Sequence, residues 1–415
     1  MLSKKKFWIN LSLANLCIVA LYGFTMRTKI LFPLEFINFR QLESGHSHFA
    51  FGGWVGLTLI TLLIYNILPA EYSTRKKYQY ILWGIEISSL GMAVFLPLFG
   101  YTVLSIIFSS SYILITYAFA YIYIKDLLKF QIARTVRLLV IVSISCLLLS
   151  AIGPLGLLYI IVSQHFNSLL YRDSIYTFLH LQYNGFFTTA VVGIFLDFVI
   201  KKGIELPSTF KKVAVFLALS IIPSLFLSIL WHNFLFFYIL AAIGCVFIIL
   251  TLIFFFRSVF ILPFRLIYRD RLAKLLGILA FFSFTLKLFL NVGTIIPSLG
   301  NAIYGDRPVI IGFLHLVFLA FVTFYILSML IEDGFFQKDG KEIRYPFYVF
   351  GAGVFSNEFF LMLQGLQILF ETNSYIYNWL LWFASILLFT GAVLILRARL
   401  SSDNKKAIET SMARI

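Results

Sequence analysis

The sequence predicts an all-α polytopic membrane bundle of about twelve transmembrane helices with both termini cytoplasmic. Three observations predict it. Of 415 residues, 61% are hydrophobic and only 12% charged, about half the charged share a soluble domain uses to face water. The apolar residues gather into runs that can span ~30 Å of hydrocarbon at about 1.5 Å per residue. Basic residues fall in every second connection, as the positive-inside rule asks of cytoplasmic loops.

The predicted runs are α1 7–31, α2 41–68, α3 79–98, α4 101–124, α5 136–162, α6 173–200, α7 212–231, α8 234–256, α9 272–292, α10 308–331, α11 346–369 and α12 376–396. α1 follows Lys4, Lys5 and Lys6. Its apolar stretch exceeds a signal-peptide core and no small-residue cleavage pattern follows, so it reads as an uncleaved first helix. α3 and α4 are separated by little more than Gly100, and α7 and α8 by Trp231–Asn233, so both pairs read as tight hairpins. Basic clusters follow α2 (Arg75, Lys76, Lys77), α4 (Lys125, Lys129, Arg134), α6 (Lys201, Lys202, Lys211, Lys212) and α8 (Arg257, Arg265, Arg269, Arg271). Others follow α10 (Lys338, Lys341, Arg344) and α12 (Arg397, Arg399, Lys405, Lys406). The alternate connections carry few or none, which fixes an even helix count.

Residues 1–400 therefore read as one transmembrane domain and 401–415 as a short cytoplasmic tail. No connection exceeds about 20 residues, too short for a soluble catalytic domain, so any chemistry lies within the bundle or at its rim. No internal repeat is visible, which argues against an inverted-repeat transporter. The net charge of +15 orients the chain in the bilayer, its principal partner, and is not a nucleic-acid surface, since no basic stripe interleaved with aromatics is present. Cys17, Cys146 and Cys245 are isolated in apolar runs and read as packing residues.

The polar residues inside the runs carry the functional reading. His165 and His232 fall in connections opposite the basic ones and read as interfacial. His46 and His48 lie near the start of α2, His180 in α6 and His315 in α10. Arg40, Arg172 and Arg307 each precede a histidine (His48, His180, His315) by eight residues, which predicts one common depth about 12 Å into the bundle. Imidazole in lipid needs a bundle-facing partner. Cross-linking hydrogen bonds would supply one; a shared depth is what a heme or metal needs. His46 and His48 are about 200° apart around a helix, so one of the two faces any given site, and both stay open.

These residues resemble the heme–copper oxidase superfamily, specifically its twelve-helix main subunit. The resemblance rests on the twelve spans, the cytoplasmic termini and the histidines of α2, α6 and α10. Gln41-Leu42-Glu43-Ser44-Gly45-His46 looks like the family segment leading to an axial heme ligand, and His315 in Gly312-Phe313-Leu314-His315-Leu316-Val317-Phe318 matches the α10 ligand. The resemblance implies one low-spin bis-histidine heme between α2 and α10, with electron transfer in a bacterial cytoplasmic membrane beside respiratory subunits or a quinone. His180 resembles a copper ligand, but the rest of a dinuclear centre is missing. Phe313 occupies the high-spin heme ligand position, α7 has no histidine pair, and Asn184 with Tyr183 replaces the family's tyrosine. An oxidoreductase of oxidase type is left open, and its catalytic residues unassigned.

Glu86 in α3, Glu358 in α11 and Tyr183 are candidate proton carriers. Lys287 in α9 reads as snorkelling outward, with pairing to a heme propionate as the alternative, a role also open to Arg40, Arg172 and Arg307. The Phe-rich run 254–256 reads as lipid-facing or packing. Two other readings stand beside heme binding: a proton- or cation-coupled transporter using Glu86, Glu358 and the histidines, or a non-catalytic subunit on the same scaffold.

Overall fold

Local signals set the helix ends of the computed structural model, which describes residues 2–336, 340–370, 372 and 374–412. The Asn38 side chain accepts from Gln41 N at the start of α2, Asn167 accepts from Leu170 N at α6, and Asp270 accepts from Leu272 and Ala273 N at α9. Each satisfies backbone donors that a first helical turn leaves unpaired. The twelve spanning helices are α1 (Ser3–Leu31), α2 (Phe39–Ile67), α3 (Lys76–Phe99), α4 (Val103–Leu127), α5 (Arg134–Ser163) and α6 (Ser168–Lys201). They continue as α7 (Thr209–His232), α8 (Leu235–Ile261), α9 (Arg271–Gly293), α10 (Arg307–Glu332), α11 (Glu342–Ile368) and α12 (Ile376–Asp403). No strand occurs among the described residues. The chain is thus an all-α integral membrane bundle. The segment expected as a tail prolongs the last helix to Met412, while Lys338 and residues 413–415 lie outside the described residues.

α2, α6 and α10 are the three most buried spans. They touch one another and form the middle of the bundle. The other nine surround them in a pattern that repeats every four helices. α3 pairs with α4, α7 with α8 and α11 with α12; α4 then packs on α5, α8 on α9, and α12 on α1 to close the ring. The periodicity is one of helix packing order, beside a sequence with no visible internal repeat. Four crossings restore the original direction, so the units run parallel.

Each central helix also widens into π-helical turns just after its histidines, over Ala50–Gly56, Leu181–Phe187 and Leu316–Thr323. Such turns cluster where side chains must be re-aimed. Within these turns Phe51, Phe187 and Phe318 meet as a three-ring plug, with centroids 4.5–5.7 Å apart. Trp54 Nε1 donates to Thr323 Oγ1 at 3.0 Å and ties α2 to α10.

At the end carrying the basic loops, ion pairs lock the seams. Lys5 pairs with Asp333 at 2.8 Å, and the buried Arg399 donates to Phe335 O at 2.8 Å and to Asp403 at 2.6 Å. Asp126, 1% exposed at its side chain, is ringed by Arg75, Lys77 and Lys129 and accepts from Tyr78 OH at 2.9 Å. Phe255 packs on Phe281 and Phe284, whereas Phe256 is exposed on the outer surface.

Glycine permits a close α7–α8 hairpin. A Cβ on Gly244 would lie 2.5 Å from Ser224 N and 2.8 Å from Pro223 C, both backbone atoms that cannot step aside. Gly244→Ala is expected to pry α7 from α8 and cost about 1–3 kcal/mol. A lowered thermal midpoint in detergent checks this; an unchanged midpoint refutes the tight hairpin.

Candidate functional site

The Phe51–Phe187–Phe318 plug gives a common level from which to count depth. His48 and His315 each lie three residues before it, His46 five and His180 seven. The expected common depth is therefore corrected for α6: His180 sits about 6 Å, one helical turn, nearer the opposite end than His315. Tyr183, three residues after His180, meets Phe313 edge-on at 5.4 Å. The eight-residue spacing misled because α6 starts at Ser168, well before Arg172.

His46 and His48 point different ways. His46 Nδ1 lies 3.0 Å from Val19 O of α1, and a Cβ on Gly23 would touch its ring at 3.4 Å. A carbonyl only accepts, so Nδ1 carries the proton and Nε2 keeps its lone pair, the tautomer of a ligating histidine. His48 Nδ1 bonds its own helix at Ser44 O, 2.9 Å away, and its ring meets Tyr101 edge-on at 6.0 Å, between α3 and α4. Only His46 shares its surroundings with His315, which lies within electrostatic reach of both His46 and Arg27.

His315 is held from α11. Asn357 Nδ2 approaches its Nδ1 at 3.2 Å and donates to Glu358 Oε1 at 3.1 Å. With the amide turned over, its oxygen would accept from Nδ1–H and leave the Nε2 lone pair free, and the contact with Glu358 would then need a protonated carboxyl donating to that oxygen. Arg27, His46, His315 and Glu358 each keep accessible surface although helices surround them. Arg27 of α1 and His46 of α2 are within electrostatic reach of His315 of α10, and Asn357 links His315 to Glu358 of α11. Arg27 escaped the sequence reading; the signal available was a cation four residues inside the end of the first apolar run.

His180 stands apart. Its Nε2 donates to Ile221 O at 2.8 Å, and its Nδ1 accepts from Asn184 Nδ2 at 3.1 Å. Asn184 Oδ1 accepts in turn from Asn291 at 3.0 Å. Both ring nitrogens are engaged, so copper would have to displace one of these bonds. No group of three His, Cys, Asp or Glu side chains arranged to hold a metal occurs among the described residues.

The expected propionate partners are dispersed. Lys287 does not snorkel: it is 0% exposed, donates to Tyr183 O at 3.1 Å and to Thr188 Oγ1, and lies 5.7 Å from the Phe321 ring centre. Its position on α9 faces α6 rather than the outer rim, so inward packing overrides the expected outward reach. Arg172 covers the Trp231 ring at 4.0 Å, Arg40 is exposed, and Arg307 pairs with Glu43 at 2.6 Å. His232 lies 2.8 Å from Asp173 Oδ2, a partner its placement as a lone interfacial histidine did not anticipate, and His165 is exposed. In the connection before α9, burial pushes the Tyr268 phenol up to about 12. The exposed Arg307–Glu43 pair is worth no more than about 1 kcal/mol. Arg307→Ala is accordingly expected to leave the detergent melting curve almost unmoved; a drop of several kcal/mol would contradict this.

The fold defines an all-α integral membrane helix bundle whose central helices carry histidines near the end opposite the basic loops. Comparison with known protein families and with curated proteins gives no match for this chain.

Proposed function

We propose that this chain is a heme-binding electron carrier on a scaffold resembling the main subunit of the heme–copper oxidases, with His46 and His315 as the axial pair. The observation that supports this reading best is the Val19 carbonyl, which fixes His46 in the ligating tautomer beside His315. The residues fit such a group. Imidazoles come from two facing helices, Gly23 leaves the His46 ring uncrowded, and Arg27 offers the charge a carboxylate needs at low dielectric. A bound heme supplies a one-electron ferric–ferrous couple, and two histidine ligands leave no position for oxygen. Val19 and Asn357 then act as orienting groups that fix the rings. The reading places the chain in a bacterial cytoplasmic membrane, exchanging electrons with a quinone or other respiratory subunits.

Purification in detergent from heme-replete cells is expected to give a Soret band and a low-spin reduced-minus-oxidised spectrum. A folded protein with no such band would refute the proposal. Asn357→Leu removes the partner of the His315 ring, and heme occupancy is expected to fall about tenfold or more at limiting heme. Equal occupancy in a heme titration would show that Asn357 does not orient the ligand.

A further inference from the structure

Glu86, near the middle of α3, is 1% exposed. Its Oε2 accepts from Asn15 Nδ2 of α1 at 2.8 Å, while its Oε1 has no protein partner. Asn15 also donates to Gly53 O of α2 at 2.8 Å, so three helices meet at this carboxyl. One turn further along α3, the buried Ser89 hydroxyl likewise lacks a partner. Gly52 closes the space, for a Cβ there would lie 2.7 Å from Ser89 Oγ and 3.0 Å from Tyr112 of α4. Tyr112 is the titratable group that reaches this seam from α4; α1 brings the neutral Asn15, and α2 brings backbone and glycine. Among the described residues no charged side chain acts on Glu86.

A carboxylate with one neutral hydrogen bond and no counter-charge is costly at low dielectric, whereas a neutral acid is not. Among the described residues no second carboxylate joins Glu86 in a group that could hold a metal ion. The seam is also polar toward the basic-loop end. Gln79 lies seven residues before Glu86, two turns down the same face of α3; it accepts from Trp8 Nε1 at 3.0 Å and donates to Tyr65 OH at 2.6 Å. Buried Ser12 of α1 lies between these two levels.

We propose that Glu86, with Asn15 and Ser89, forms a proton-binding site inside the bundle that exchanges with water along the α1–α3 seam from the basic-loop end. The proton leaves or joins Oε1, the carboxyl alternates between acid and carboxylate, and no other bond changes. The site stands apart from the heme reading and survives its failure.

Infrared spectroscopy of the full chain in lipid tests it. A protonated-carboxyl C=O band is expected that shifts down in D2O within minutes, is lost in Glu86→Gln, persists in Glu358→Gln and moves in Glu86→Asp. Glutamate carrying carbon-13 in the unsubstituted chain shifts the same band, which assigns it to glutamate rather than aspartate without any substitution, and the conservative Glu86→Asp then places it at this position. A band unchanged in Glu86→Gln, or no labelled protonated band at all, overturns the proposal. A band that resists D2O for hours makes Glu86 a sealed structural acid and also overturns it. Loss of the band on adding Na+ at constant pH overturns it in favour of an alkali-cation site.

Discussion

Replacing His46 or His315 by alanine is expected to abolish the low-spin heme spectrum, while His48→Ala retains it. The two α2 histidines are chemically alike: each has Nδ1 on a carbonyl, Val19 O for His46 and Ser44 O for His48. Direction separates them. His46 turns toward α1 and the surroundings it shares with His315, whereas His48 turns toward Tyr101. A bis-histidine iron that loses one ligand becomes five-coordinate or is released, so the change is a lost or converted spectrum rather than a graded shift. Reduced-minus-oxidised spectra of the three variants, each checked for folding by size exclusion, decide it. Retention of the low-spin bands in His46→Ala with their loss in His48→Ala would move the ligand to His48.

The second large effect is expected at Asp126. Its side chain is buried where α3 begins and α4 ends, with Arg75, Lys77 and Lys129 around it and the Tyr78 hydroxyl donating at 2.9 Å. The cations are 34–46% exposed and water screens part of their charge; the carboxylate and the Tyr78 hydroxyl are buried. Asp126→Ala strips the buried partner and leaves three cations facing one another, at a cost of about 3 kcal/mol. Asp126→Asn keeps an acceptor for Tyr78 and is expected to lose about half as much. Thermal unfolding in detergent at low and high salt separates the parts. The alanine variant is expected to recover partly in salt, because salt screens the exposed repulsion. Equal stability of Asp126→Ala and the unsubstituted chain would show that the cluster holds nothing together.

The same contrast between pattern and direction explains what could be read before folding. Twelve apolar runs and alternating basic loops determine the helix count, because hydrocarbon thickness sets run length and charge sets the crossing sense. Helix starts were misjudged where a cap lay outside the apolar run, as Asn167 does for α6, and that error carried the apparent common depth of His180. The four-helix periodicity of the packing is not visible along the chain, since packing needs only apolar volume at each seam.

For the candidate site, the sequence by itself determined which residues are rare and costly in lipid: four histidines, Glu86, Glu358 and Lys287. Tertiary structure alone decided what each faces. It set His46 and Arg27 within electrostatic reach of His315, gave both nitrogens of His180 to Ile221 and Asn184, and drew Lys287 inward onto α6. The physical reason is rotational. Residue spacing fixes height along a helix, but how each helix is turned about its own axis against its neighbours is set by packing, and that angle chooses the partner.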